Sequence, residues 1–179
     1  MEDRCLFAAE WLELRERTFA GRAGREGAWT YVRRRKTVGA VCAVATRQAG
    51  DARELLLVRQ YRHPVEREVL EFPAGLVDAE EDPRVSVLRE LKEETGWTGE
   101  LERMGPPVPT SPGLTDEAVA FAHIRLIEAG PQQLEGDEVI VVEWAPVEGL
   151  LDWLTSQVEA GILVDARVWA FACGLAAKV

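Results

Sequence analysis

Residues 75–97 read GLVDAEEDPRVSVLRELKEETGW, and the reading of the rest of the chain turns on this stretch. Its second half predicts a helix from Pro83 to about Thr95. Asp82 is a suitable N-cap, Pro83 occupies the first helical position, where a missing N–H costs nothing, and Gly96 provides the stop. Val87 and Leu91, with Val85 and Leu88 beside them, form the apolar stripe. The opposite face is acidic. Glu90 and Glu94 are four residues apart, which puts their Cβ atoms about 5–6 Å from each other on one side of a helix. Glu93 lies three residues from Glu90, and Glu81 adds a carboxylate just ahead of the helix. Like charges at that spacing destabilise a helix, and a cation among them removes the strain. Hard carboxylate oxygens suit Mg²⁺ or Mn²⁺. Arg89, four residues before Glu93, is placed to pair with it and hold the ligand-bearing face. Gly75, two residues after Pro73, is expected to let the backbone turn so that the Ala74 carbonyl faces the ion. A solvated charged face would account for the Lys92-Glu93-Glu94 run alone. It does not account for Gly75, Glu81, Arg89 and Gly96 at their separations.

Working outward, EVLEFPAG (68–75) reads as a short strand ended by Pro73 and Gly75. TVGAVCAVAT (37–46) is a small-apolar, β-branched run of the kind found in buried strands, and ELLLVRQYR (54–62) is another strand, with RQAGDAR (47–53) as the turn between them. Residues 6–20 and 28–35 read as two further strands joined across the glycine-rich GRAGREG, a hairpin. Downstream come strands near 98–104 and 118–127, separated by the proline-rich loop PPVPTSPGLTDE (106–117). An acidic loop follows at 131–138, then a strand at 139–147. Leu150, Leu151, Leu154 and Val158 mark an amphipathic helix ending at Gly161, and a last helix covers about 165–177. The expected class is α+β, with residues 1–36 a β-hairpin extension and 37–179 the main domain.

Composition narrows the functions. The 179 residues suffice for one domain with a proper core. A formal charge of −10 argues against nucleic acid or anionic membrane as partners, yet allows a small anion bridged by a cation. Cys5, Cys42 and Cys173 have no metal or disulfide spacing, so reduced thiols in a cytoplasmic protein are expected. No leader-like pattern opens the chain, and no run approaches a membrane span.

The segment 75–97 resembles the Nudix box, G-x5-E-x7-R-E-U-x-E-E-x-G-U, at every specified position, with Trp97 filling the last apolar place where an aliphatic residue is commoner. VRQYRHP, LEFPAG, SPGLTDE, the acidic loop and the closing GILVDAR are similar to the ADP-ribose pyrophosphatase branch of that family. The resemblance implies an α/β/α sandwich around a mixed sheet and hydrolysis of a nucleoside diphosphate linked to a second moiety. It implies Glu90, Glu94 and the Ala74 carbonyl as metal ligands, with Glu81 in support. Glu93 and Arg89 then act beside them, around two or three Mg²⁺ ions for which Mn²⁺ could substitute. In this branch the base comes from an acidic loop after the box, here LEGDE, with Glu135 the first choice and Glu138 the second; Asp137 lies between them. A proline at 112 resembles the ADP-ribose subgroup, with Ser111, Pro112 and Gly113 walling the terminal ribose. Arg62, together with Glu71, is expected to face the substrate. The branch also implies a homodimer built through the N-terminal strands. A nucleotide-sugar or FAD pyrophosphatase is the alternative enzyme, and a nucleotide-sensing module without catalysis the alternative from another class. The Arg33-Arg34-Arg35 run reads as a solvated strand end.

Overall fold

Residues 41–45 are buried without a break, so the strand that carries them is covered on both faces. The computed structural model describes residues 1–177. In chain order the strands are β1 (Asp3–Ala8), β2 (Leu12–Ala20), β3 (Glu26–Arg34), β4 (Gly39–Ala49), β5 (Ala52–Arg62), β6 (Arg67–Glu71) and β7 (Ala74–Val77). Helix α1 (Pro83–Thr95) follows, then β8 (Trp97–Met104), β9 (Val108–Pro109), β10 (Ala118–Ala129) and β11 (Ile140–Pro146). Helix α2 (Leu150–Glu159), β12 (Leu163–Val164) and α3 (Ala166–Ala176) complete the fold.

The alternation of side chains along β4 and β5 sets the layers. Cys42, Val44, Leu55 and Leu57 face one way and pack with Leu150 and Leu154 of α2 and Val168 and Ala172 of α3. Val41, Ala43, Ala45 and Leu56 face the other way and pack with Val87 and Leu91 of α1. One helix therefore covers one face and two cover the other, which is the α/β/α sandwich expected. The sheet is mixed. Its order is β12-β6-β5-β4-β10-β8, with β11 added on β5, β7 on β4 and β9 on β10. The β4–β10 and β6–β12 pairs are parallel and the other pairings are antiparallel. Placement of the box follows from β7, whose Gly75 and Ala74 lie opposite Val41 and Cys42 in the middle of the sheet.

Helix α1 has the bounds expected of it. The Asp82 carboxylate accepts the Arg84 N–H at 2.9 Å, and Gly96 takes the left-handed conformation at φ 74°. Val85 is the exception on the apolar stripe: it is exposed, while Val87 and Leu91, with Leu88 partly buried beside them, pack against the sheet.

The N-terminal segment differs from expectation. It is a three-stranded antiparallel sheet, not a hairpin. The 6–20 run breaks at Ala9, whose N–H donates to Leu12 O at 2.8 Å and turns the chain through Glu10 and Trp11. The polar 47–53 stretch is also not all turn. Strands β4 and β5 run on through it and reverse only at Gly50–Asp51, with Gly50 at φ 61°. Arg47 and Glu54 pair across that ladder at 2.7 Å, so charged residues fit strand positions there. Strands β9 and β12 are two residues long and carry no periodicity to read.

Candidate active site

The acidic face of α1 is organised by one cation that the chain supplies itself. Arg89 donates to Glu81 through Nε and Nη2, both at 3.0 Å, to Glu90 at 3.0 Å and to Glu93 at 2.8 Å. The expected Arg89–Glu93 pair is present, and Arg89 also relieves the repulsion that the sequence assigned wholly to a bound ion. Glu81 accepts a further bond from the buried Ser86 hydroxyl at 2.7 Å. The Arg89 guanidinium, with that hydroxyl, holds the Glu81 carboxyl down at about 2.

Glu94 lies apart from this network. It is buried, and the Ala74 N–H donates to its Oε2 at 3.0 Å. Burial pushes its carboxyl up to about 8, with the Glu90 and Glu138 charges adding to the effect and the Ala74 N–H opposing it. Burial also raises Glu90, which Arg89 opposes and the Glu93 and Glu135 charges reinforce. Ala74 thus reaches the site with its amide, a contact that the sequence reading did not anticipate. Gly75 is needed for a different reason than the one expected. Its backbone is not left-handed; it lies in β7 under the Glu90 carboxylate, and a Cβ there would stand 1.9 Å from Glu90 Cδ.

With the side chains so held, no three His, Cys, Asp or Glu groups among the described residues converge at ligand spacing. The donors nevertheless fit a hard divalent cation. Four carboxylates, three on α1 and Glu81 ahead of it, are grouped here, two of them are driven toward the neutral form by desolvation, and the missing Cβ at Gly75 lets the Glu90 carboxylate lie against β7.

The acidic loop is tied to the C-terminal end of this helix, where the Gln133 N–H donates to Glu93 O at 2.8 Å. It turns at Gly136, φ 54°. Inside the turn the Glu138 carboxylate accepts the Glu135 N–H at 3.2 Å, and the Glu138 N–H donates to Glu135 O at 3.1 Å.

A NUDIX domain model matches residues 35–165, which is most of the chain and contains the whole α1 face. The chain belongs to the NUDIX family. It is 32% identical over 178 residues to a Saccharomyces cerevisiae protein named ADP-ribose pyrophosphatase, covering 93% of this chain and 77% of that one. A Mus musculus ADP-sugar pyrophosphatase is 34% identical, with 94% and 82% covered. A solved ADP compounds hydrolase superposes with TM-score 0.64 over 87% of this chain and 81% of that one at 21% identity, a likeness of fold. NUDIX hydrolases use divalent metal ions, in keeping with the carboxylate face.

Near the NUDIX site, Arg62 and Glu71, both expected to face the substrate, are paired with each other. Glu71 is buried at the end of β6 and pairs with Arg62 at 2.7 Å, with Gln60 donating to the same oxygen at 3.1 Å. Pro112 lines a cavity of about 390 Å³ with Arg17, Trp29, Tyr31, Thr115 and Asp116. Gly113 contributes its carbonyl, which accepts the Trp29 indole N–H at 3.2 Å. No residue of the box lines this cavity. The 106–117 loop is strapped to β3: Val32 N–H donates to Leu114 O at 2.8 Å, Arg33 pairs with Asp116 at 2.6 Å and Arg34 with Glu117 at 2.7 Å. The Arg33–Arg35 run is therefore engaged and not merely solvated, as Arg35 also donates to Ala9 O at 2.7 Å. The complementary charges, RRR and TDE, were visible in the sequence, but about 80 residues separate them and nothing local joins them.

Proposed function

We propose that this NUDIX enzyme hydrolyses ADP-ribose to AMP and ribose 5-phosphate with Mg²⁺. The observation that carries the reading is the half-buried carboxylate face of α1 packed over Gly75, set within a chain similar along nearly its whole length to proteins named for ADP-ribose and ADP-sugars. Glu90 and Glu94 would hold the ions, two or three in number, with the Ala74 carbonyl and Glu81 in support. When bound, Mg²⁺ neutralises the diphosphate and polarises it toward attack by water. The chain's own residues do the rest. Arg89 keeps Glu93 and Glu81 in place. Glu135, whose carboxylate the 135–138 turn leaves unengaged while that of Glu138 is tied to a backbone N–H, takes the proton of the attacking water. Arg62, oriented by Glu71, offers its remaining N–H groups to the substrate. Pro112 and Gly113 wall the bound nucleotide beside the Trp29 cavity, where an indole face suits stacking.

Residues 1–36 form the proposed dimerisation extension to a hydrolase domain of 37–179. Of β1–β3 only Tyr31 is a buried hydrophobic, while Phe7 is 64% exposed, Trp11 56% and Trp29 54%. A sheet so poor in core of its own calls for a cover, and a second copy supplies one. Light scattering should give about 40 kDa, twice the 19.9 kDa of one chain; a mass of one chain at micromolar concentration rejects the dimer. The three free cysteines accord with a reducing cytoplasm as the proposed compartment. No helix among the described residues is long and apolar enough to cross a membrane.

The test is product analysis on a panel of ADP-ribose, UDP-glucose, GDP-mannose, FAD and diadenosine polyphosphates with Mg²⁺. AMP and ribose 5-phosphate formed fastest from ADP-ribose support the reading. Faster turnover of a nucleotide sugar or FAD moves the assignment to that substrate, and no turnover of any diphosphate rejects the enzyme.

A further inference from the structure

The C-terminal end of α1 is closed by the acidic loop. A helix leaves its last carbonyls without intrahelical partners. Here Lys92 O takes the Gly96 N–H at 2.8 Å, as a glycine stop provides. The next two acceptors are filled from elsewhere. Glu93 O accepts the Gln133 N–H at 2.8 Å, and Glu94 O accepts the Gln132 side-chain amide at 2.6 Å. The same Gln132 Nε2 donates to Ile140 O, the first residue of β11, at 3.1 Å. Gly130 N–H adds a fourth tie, to Gly96 O at 2.7 Å.

One side chain thus joins three pieces of chain: the residue that bears the buried Glu94 carboxylate, the entry to the acidic loop and its exit. Both donor positions of the amide are used, which only Asn or Gln offers without charge. The span between the pinned ends, residues 133–139, contains Glu135, Asp137 and Glu138. Glu135 is three residues from Gln132, so its Cα can lie no more than about 10 Å from that anchor. The length of this tether and the fixed anchor set where a loop carboxylate can stand relative to Glu90 and Glu94.

We infer that Gln132 is a positioning residue, the clamp that registers the acidic loop on the metal-carboxylate helix so that its base meets the attacking water. This rests on the proposed hydrolysis and names the residue that aligns its two halves. Catalytic geometry is sensitive to displacements of about an ångström, so a loosened root should act on turnover far more than on binding.

The test is Gln132→Met, which keeps length and removes both donors. With ADP-ribose and Mg²⁺, kcat should fall about tenfold while KM and Mn²⁺ affinity stay within about twofold of the parent. In hydrogen exchange, the Gln133 amide should lose protection while amides of the first turns of α1 keep theirs. An unchanged kcat overturns the inference, and so does a parallel loss of kcat, Mn²⁺ affinity and melting temperature, which would mark a general structural role. Exchange separates this failure from failure of the proposed function. If the parent protein turns over no diphosphate, the substrate reading falls and the catalytic part of the inference falls with it; lost Gln133 protection in Gln132→Met then shows only that Gln132 anchors the loop, and retained protection rejects the anchor as well.

Discussion

Two acidic segments face each other across the site, and they are built on opposite principles. On and just before α1 each of these carboxylates has a fixed partner: Glu81, Glu90 and Glu93 share Arg89, and Glu94 takes the Ala74 N–H in a buried position. In the 131–138 loop the carboxylates are exposed, and the side-chain bond that ties Glu138 stays within the turn, to Glu135 N–H. A metal site needs ligands desolvated and held before the ion arrives, and a rigid helix over a glycine suits that proposed role. A proton acceptor that must meet a water after the substrate has closed over it is better carried on a segment that can adjust. Acidic composition alone does not separate the two proposed roles. Burial and partnering do.

The largest expected effect comes from Glu94. Glu94→Gln should lower kcat by about a thousandfold with the fold intact, as read by AMP release and circular dichroism. Retained activity would erase the distinction between helix and loop. Next is Glu135→Gln, for which a loss of about a hundredfold is expected, with a smaller loss for Glu138→Gln. The reverse order would show that the turn releases Glu138 in the working enzyme. Gly75→Ala should cost about tenfold or more in kcat at saturating Mg²⁺ and weaken Mn²⁺ binding, because the added Cβ displaces Glu90. Unchanged Mn²⁺ affinity would mean that the contact yields cheaply.

The smallest effect is on stability. The Glu94 carboxyl is raised in the fold, to about 8. Its neutral form therefore favours folding below the ordinary carboxylate range, and that contribution is lost as pH rises through 8. In EDTA, Glu94→Gln should melt roughly 5 °C above the parent at pH 9 and close to it at pH 5. Equal melting temperatures at both would place Glu94 in water.

The same contrast explains what could be read from the sequence. The box was legible because its geometry is local: Asp82, Gly96 and the i, i+4 spacing of Glu90 and Glu94 fix a helix and a face without any distant contact. The buried strands were legible from the unbroken apolar runs at 41–45 and 55–58, whereas the layering came from the family resemblance and only the structure shows these side chains alternating between two helical covers. What escaped was non-local. The role of Gly75 depends on Glu90 fifteen residues away, and the Ala74 amide on Glu94 twenty residues away. The Gln132 amide bridges Glu94 and Ile140, and a pair of adjacent glutamines in an acidic loop carries no pattern to announce it. The break at Ala9–Trp11 was missed because a strand-like composition continues through it.

Mn²⁺ titration followed by electron paramagnetic resonance tests the central claim most directly, on the parent protein, on Glu94→Gln and on a loop variant carrying Glu135→Gln, Asp137→Asn and Glu138→Gln. The helix account predicts that the loop variant binds Mn²⁺ like the parent and that Glu94→Gln loses at least one tightly bound ion. Loss of Mn²⁺ from the loop variant, with full binding by Glu94→Gln, would contradict it.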